Sequence, residues 1–233
     1  ARSNEAKTLG IPMGAPAFKY KEIFQKNNVQ IFSSNFTLYG DMSNRVMSII
    51  ARHVPEVEIY SIDEAFIKFS GFSEDEANKK CKEIIKTVLK WTGIPVSIGL
   101  ASTKSLAKVA NRIAKKNSHK TNGFYSISSE KKRLEALDNI FTRDIWGIGL
   151  QNEKKLSKIN VKTGMDFISL PDKWVKKNMS IIGLKLKKEL EGNPTLDIEE
   201  GKVDKKSIAT TRSFESEISS FHISRHKFST SSL

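Results

Sequence analysis

The alternation of apolar and polar positions predicts a short β-hairpin in the first third of the chain. Residues 57–62 alternate in this way, and residues 65–70 do so again after a brief gap. The stretch YSIDEAF joins the two segments and carries the adjacent acids Asp63 and Glu64. We therefore predict two strands with an acid pair at their junction.

Apolar residues at helical spacing predict a helix on each side of this hairpin. The first begins at Asp41 and stops before Pro55. The second begins after Ser73, where Glu76 completes a capping box, and ends near Gly93. The other predicted elements in this half are short helices within 1–20 and at 20–26, strands at 29–33, 95–100 and 123–127, and a helix at 103–116.

The order of these elements predicts an α+β fold. Residues 41–100 run helix, strand, strand, helix, strand, which is a ferredoxin-like unit without its first strand. We predict an incomplete ferredoxin-like unit, with residues 1–40 inserted after the absent strand. Beyond Asp138 the chain is predicted to be helical to about Glu191, and residues 192–202 have the composition of a boundary.

Composition narrows the functional class. The chain has 233 residues and a formal net charge of +13, which favours polyanionic partners, although a merely lysine-rich surface gives the same value. No apolar run approaches the roughly 18 residues of a membrane span. A single cysteine, Cys81, excludes an internal disulfide and fits a reducing cytoplasm. Its place on the apolar face of a helix predicts a core position.

The acid pair is the first candidate for chemistry. Carboxylate oxygens suit Mg²⁺, which often shares its ligands with substrate phosphates. A turn at the hairpin tip would bring Asp63 and Glu64 to one edge of the sheet, although side chains of neighbouring strand residues otherwise point to opposite faces. The alternative is a solvated turn, since turns often carry aspartate.

The helix at 103–116 is the second candidate. No acid occurs between Ser102 and Asn122. One narrow arc of this helix carries four cations, which are Lys104, Lys108, Arg112 and Lys115. The pattern predicts a basic stripe able to bind phosphates, or alternatively an ordinary solvated face.

Two weaker signals also point to phosphate. Gly147 and Gly149 predict a tight turn between two helices, like a helix-hairpin-helix element, whose backbone N–H groups could hold a DNA phosphate. Many ordinary helical turns also use glycine. Near the start, Arg2 and Lys7 could clamp a triphosphate or simply flank an exposed helix.

Taken together, these motifs resemble the Y-family translesion DNA polymerases, most closely the bacterial UmuC members. The resemblance rests on RSNEAKTLGIPMG, YSIDEAF, SIGLASTKSLAKVANRIAKK and DIWGIG in this order, and on TTRSFESEI near residue 218. It implies fingers at 1–38, a palm at 39–123, a thumb at 124–200, and at 201–233 a linker towards a little finger with an irregular tail.

The resemblance also implies site residues and partners. Asp63 and Glu64 would bind two Mg²⁺ ions, with Mn²⁺ as a substitute, and catalyse nucleotidyl transfer from a dNTP to a primer–template. Arg2, Asn4, Lys7 and Lys115 would contact the triphosphate; Asn4 replaces a tyrosine common in relatives. Implied partners are processed UmuD, the RecA filament and the sliding clamp. The implied location is bacterial, cytoplasmic and nucleoid-associated, with no membrane.

One departure concerns a third metal-binding aspartate, which the family carries on the strand absent here. Asp41 precedes a helix and does not match that motif. We therefore expect a fragment with impaired polymerase activity. Two alternatives remain open: a non-catalytic DNA-binding module, and a nucleotidyl cyclase built on a similar palm, which the basic helix and the glycine turn disfavour.

Overall fold

The computed structural model describes residues 1–199, and most of them are helical. The helices are α1 (Asn4–Thr8), α2 (Lys21–Lys26), α3 (Phe36–Ala51), α4 (Glu74–Thr92), α5 (Lys104–Lys116), α6 (Ser118–Thr121), α7 (Glu130–Asp138), α8 (Leu150–Lys158), α9 (Gly164–Ile168) and α10 (Asp172–Leu190). The strands are β1 (Glu56–Ile59), β2 (Ala65–Lys68), β3 (Ile98–Ala101) and β4 (Phe124–Ile127). The predicted α+β class with a helical second part is confirmed.

The ends of α4 form as the sequence predicts. Ser73 accepts a hydrogen bond from the backbone N–H of Glu76, and the Glu76 carboxylate accepts one from the backbone N–H of Ser73. Gly93 follows the helix with φ of 72°, a left-handed conformation that favours glycine. These local signals specify both ends without help from distant residues.

Two predictions before the hairpin are wrong. Residues 29–33 form no strand, and Ile31 and Phe32 remain exposed, because no neighbouring segment supplies a hydrogen-bonded ladder. Helix α3 begins at Phe36 rather than Asp41. Its side-chain cap is Asn35, whose oxygen accepts from the N–H of Leu38. The first turn of α3 is largely exposed, so apolar spacing gave no sign of it.

The four strands form two separate pairs in the described part of the chain. Strands β1 and β2 are antiparallel, with Glu58 opposite Phe66. Strands β3 and β4 are parallel, with Gly99 opposite Tyr125. Strand β3 starts at Ile98, three residues later than predicted. A Cβ at Gly99 would lie 2.1 Å from the backbone N of Asn111, so glycine is what allows β3 to approach α5 so closely.

Two apolar clusters hold the fold together. The smaller one lies between α3, α4 and the strands, and its buried residues are Val46, Ile49, Val54, Ile84 and Val88. The larger one joins α5 and β4 to the helices from α7 to α10. Cys81 is fully buried in α4, as predicted, and burial raises the pKa of its thiol to about 12.

Helices α7 and α10 pack on α5, and α9 packs on α7 and α10. Helix α10 contains a break at Ser180, where φ is 65°, so its two parts follow different directions.

None of the described helices is both long and apolar enough to cross a membrane. The described residues fall within one compact unit. The predicted linker and tail at 201–233 lie outside the described residues.

Candidate active site

The acid pair lies at the tip of the β1–β2 hairpin, at the predicted junction. The backbone N–H groups of Tyr60 and Ser61 both donate to the carbonyl of Glu64, each at 3.0 Å. The Ser61 hydroxyl donates to Asp63 Oδ1 at 2.7 Å and accepts from the Asp63 N–H at 3.3 Å. These short-range bonds fix the turn and leave Asp63 on the surface.

The basic stripe of α5 faces this hairpin. Lys104 Nζ lies 2.5 Å from Glu58 Oε2, and Lys108 Nζ lies 2.7 Å from Glu64 Oε1. The two lysine side chains are only 10% and 15% exposed. The predicted exposure of the stripe is therefore wrong for both residues, since α5 packs this face against the acids of the hairpin. Their binding to DNA stays a prediction.

The next cations of α5 meet a carboxylate that the sequence did not single out. Arg112 and Lys116 both pair with Asp144, which precedes the glycine turn. Burial alone would raise the pKa of Asp144, but hydrogen bonds from Arg112 and Lys116 hold that pKa below its usual value. Lys115 is exposed on α5, seven residues beyond Lys108. Glu58 and Asp144 were missed because their partners are distant in sequence.

Three aromatic rings surround the ammonium group of Lys108. Its Nζ lies 4.9, 5.2 and 5.7 Å from the ring centroids of Tyr60, Phe66 and Trp146. The indole N–H of Trp146 donates to the hydroxyl of Tyr60 at 3.3 Å. We call these three rings the aromatic cage. No pattern in the sequence marked it, since Trp146 drew notice only as a neighbour of the glycine turn.

The glycine turn follows the cage directly. Gly147 has φ of 93°, which favours glycine, and Gly149 is the N-terminal cap residue of the nine-residue helix α8. Both glycines are exposed. The element before the turn is a 3₁₀ helix of three residues, Thr142–Asp144, rather than an α-helix. The predicted turn is therefore present, but only its second flank is an α-helix.

The N-terminal candidates form contacts among themselves. Arg2 donates to the carbonyl of Ile11 at 2.6 Å, and Lys7 donates to Asn4 Oδ1 at 3.0 Å. Within residues 1–199, no hydrogen bond or ion pair joins residues 2–7 to the acid pair. The structure therefore brings Lys104 and Lys108 to the hairpin that carries Asp63 and Glu64, whereas the N-terminal candidates contact one another and Ile11.

The acid pair provides the type of ligand that a magnesium ion prefers. Mg²⁺ is usually bound through one or two carboxylates, with waters and substrate phosphates completing its shell. Asp63 and Glu64 can supply those two carboxylates. Among the described residues, no group of three His, Cys, Asp or Glu side chains could hold a metal ion. Asp41 is paired with Arg45 on α3 at 2.9 Å.

Comparison with known proteins gives consistent matches. The model of the impB/mucB/samB family matches residues 1–112. Protein UmuC of Salmonella typhimurium is 43% identical over 216 residues, which are 92% of this chain and 51% of UmuC. DNA polymerase IV of Picrophilus torridus is 36% identical over 184 residues, 78% of this chain and 50% of that protein.

Comparison with solved structures also finds a DNA polymerase. The insertion ternary complex of Dbh DNA polymerase superposes with a TM-score of 0.71 at 25% identity, covering 84% of this chain and 56% of Dbh. The chain spans about half the length of the curated relatives that it matches.

Proposed function

Because residues 1–112 of this chain form an impB/mucB/samB family domain, we propose that the chain serves template-directed DNA synthesis across damaged DNA. The substrates are a primer–template and a dNTP. The observation that carries this proposal is the acid pair at the hairpin tip, held beside the lysines of α5. That arrangement suits nucleotidyl transfer, in which carboxylates and cations control the charge of phosphates.

Asp63 and Glu64 are the residues that would hold Mg²⁺ or Mn²⁺. When bound, such ions neutralise charge on the attacking and leaving oxygens of a phosphoryl transfer. The chain's own contribution is to position these ligands. Ser61 orients Asp63 through two hydrogen bonds, and Glu64 is paired with Lys108. The pair of Lys104 and Glu58 holds β1 against α5.

We assign binding of the dNTP triphosphate to Arg2, Asn4, Lys7 and Lys115. Lys115 lies two turns of α5 beyond Lys108, roughly 10 Å along the axis at 1.5 Å per residue. An exposed ammonium at that distance can meet the outer phosphates of a nucleotide whose inner phosphate lies at the acid pair. Arg2 and Lys7 would have to exchange their contacts with Ile11 and Asn4.

DNA binding is assigned to the glycine turn and the start of α8. Exposed backbone N–H groups at a helix N-terminus can hold a phosphate without reading base sequence. Lys104, Lys108 and Arg112 have acidic partners, which reduces the charge that they can offer to DNA. We propose that these three residues offer DNA phosphates only part of their charge, and that their ion pairs otherwise hold the hairpin and Asp144 against α5.

The remaining assignments follow from family membership. They are fingers at 1–38, palm at 39–123 and thumb at 124–200, with a linker towards a little finger at 201–233. Processed UmuD, the RecA filament and the sliding clamp are the proposed partners. The proposed location is the bacterial cytoplasm, in association with the nucleoid, during the response to DNA damage.

Single-nucleotide incorporation on a primer–template tests this function. We expect slow extension with Mg²⁺ and faster extension with Mn²⁺, since two carboxylates hold a metal weakly. Asp63→Asn should lower the rate by more than about 100-fold, because losing a metal ligand exceeds the effect of losing an outer partner. Asp41→Asn is the matched control and should keep the parent rate, since within residues 1–199 Asp41 pairs with Arg45 and not with a group of the site.

A second candidate function is DNA binding without catalysis. It is favoured by the engagement of Glu64 with Lys108 and by the small number of carboxylates at the site. Duplex binding that weakens steeply with salt, but is unchanged by Asp63→Asn, Mg²⁺ or dNTP, would support this function. If extension is also absent in both metals, the polymerase proposal is wrong for this chain.

A further inference from the structure

The Lys108 ammonium group is almost completely enclosed. Its side chain is 15% exposed, and the rings of Tyr60, Phe66 and Trp146 lie on several sides of it. The three rings also pack on one another, with centroids 5.6 to 5.8 Å apart. An ammonium group beside several ring faces exchanges part of its water for contacts with those faces and with an anion.

Glu64 is that anion, at 2.7 Å. The neighbouring cation cannot easily take the place of Lys108, because Lys104 is already paired with Glu58 at 2.5 Å. Within the described residues, Lys108 has an ion pair with this one carboxylate. An ion pair with one enclosed partner is held more firmly than a fully exposed pair, whose charges are screened by water.

Trp146 is the part of the cage that comes from outside the hairpin. It lies 86 residues from Tyr60, to which its indole N–H donates, and it immediately precedes Gly147. The cage thus connects the acid pair to the glycine turn. A displacement of that turn would remove one wall of the cage and loosen the contact of Lys108 with Glu64.

We propose that Trp146 is a positioning residue for the acid pair: it closes a cage that holds Lys108 against Glu64 Oε1, so that a divalent cation binding at Asp63 and Glu64 competes with Lys108 for the Glu64 carboxylate. The inference rests on the proposed function, because it takes the acid pair as the cation ligands. Lys108 and the cation compete for one carboxylate, and Trp146 sets the strength of the competitor.

The environment of Trp146 can be observed directly in the full chain. The sequence has three tryptophans, so labelling with 5-fluorotryptophan gives three ¹⁹F resonances. The Trp146→Phe variant identifies the resonance of Trp146. We expect Mg²⁺ to shift that resonance and to leave the resonances of Trp91 and Trp174 in place. The shift should disappear in Asp63→Asn.

Affinity supplies a second readout, measured as free Mn²⁺ by electron paramagnetic resonance. Lys108→Met should tighten Mn²⁺ binding about three- to tenfold, the size expected for removing one competing ion pair. Trp146→Ala should tighten it about two- to threefold by weakening the cage, and Trp146→Phe should lie nearer the parent value. A purely structural role would loosen Mn²⁺ binding instead, because damage to the fold disorders the ligands.

Lys116→Met is the charge-matched control. It removes one positive charge from the same helix, but Lys116 pairs with Asp144 rather than Glu64. Equal effects of Lys108→Met and Lys116→Met would overturn the proposal, because only general electrostatics would then be at work. If Mn²⁺ binding needs Asp63 but the Trp146 resonance does not shift, the proposed role of Trp146 is wrong and the metal assignment stands. Mn²⁺ binding that does not need Asp63 would overturn both the cage and the metal assignment, whatever the extension assay gives.

Discussion

Two glutamates, Glu64 at the hairpin tip and Glu189 at the end of α10, show how differently one chain can treat the same side chain. Glu189 is fully buried and accepts hydrogen bonds from the backbone N–H groups of Ser105, Thr195 and Leu196, at 3.1, 2.6 and 3.1 Å. Glu64 is 43% exposed and has an ion pair with Lys108. Backbone N–H groups are fixed by the fold, whereas the side chain of Lys108 can rotate away from Glu64. Glu189 is therefore suited to hold the fold, and Glu64 to exchange partners.

The two glutamates are connected through α5. Glu189 binds the first turn of this helix, and Thr103, the cap residue of α5, donates to the carbonyl of Glu189 at 2.8 Å. Lys108 lies one turn further along the same helix. Glu189 thus anchors α5, the helix that carries Lys108, the partner of Glu64. A functional site needs this kind of rigid support for the residues that form it.

The largest effect is expected for Glu189→Ala. It leaves the buried N–H of Ser105 and the partly buried N–H groups of Thr195 and Leu196 without this acceptor, so the free energy of unfolding should fall by about 3 kcal/mol. Glu64→Ala, the matched change at the tip, should cost about 1 kcal/mol or less. Urea denaturation of both variants measures the difference. Equal losses would remove the distinction between the two glutamates.

A smaller effect is expected for Thr103→Val, which keeps the shape of the side chain but removes its hydroxyl. The change deletes the cap of α5 and the bond to Glu189, and should cost about 1–2 kcal/mol. Thr103→Ser should restore most of this. Ser129→Ala removes the cap of α7 at an exposed position and should cost less. A larger loss for Ser129→Ala than for Thr103→Val would show that burial does not strengthen the α5 cap.

The smallest effect is expected for Asp144. Its carboxylate is mostly buried, like that of Glu189, but its partners are side-chain cations, like the partner of Glu64. The pKa of Asp144 is lowered by Arg112 and Lys116, so its contribution to stability is present above its usual pKa and is lost as the pH falls through the lower pKa of the folded state. Asp144→Asn should cost about 1 kcal/mol at pH 7, and the cost should shrink steadily as the pH falls from about 4 towards about 2. Thermal unfolding across this range, with exposed Asp138→Asn as the control, measures it. A cost that does not depend on pH would mean that the ion pairs contribute little.

Much of the fold could be predicted because its signals are local. The capping box of Ser73 and Glu76, the apolar face that buries Cys81, and the alternation on each side of Asp63 all involve residues within a few positions of one another. The strand predicted at 29–33 failed because its partner had to come from elsewhere. Strand propensity depends on such a partner, which composition does not supply.

The candidate site also has features that follow from local sequence and features that depend on contacts between distant residues. Local pattern was enough to predict that Asp63 and Glu64 lie at a turn and that Lys104 and Lys108 share one face of a helix, because the periods of strands and helices fix the direction of side chains. The residues that this face contacts come from distant parts of the chain. Lys104 and Glu58 are 46 residues apart, and Trp146 and Tyr60 are 86 apart. Such contacts depend on how the elements pack, and packing is a property of the whole core rather than of any local pattern.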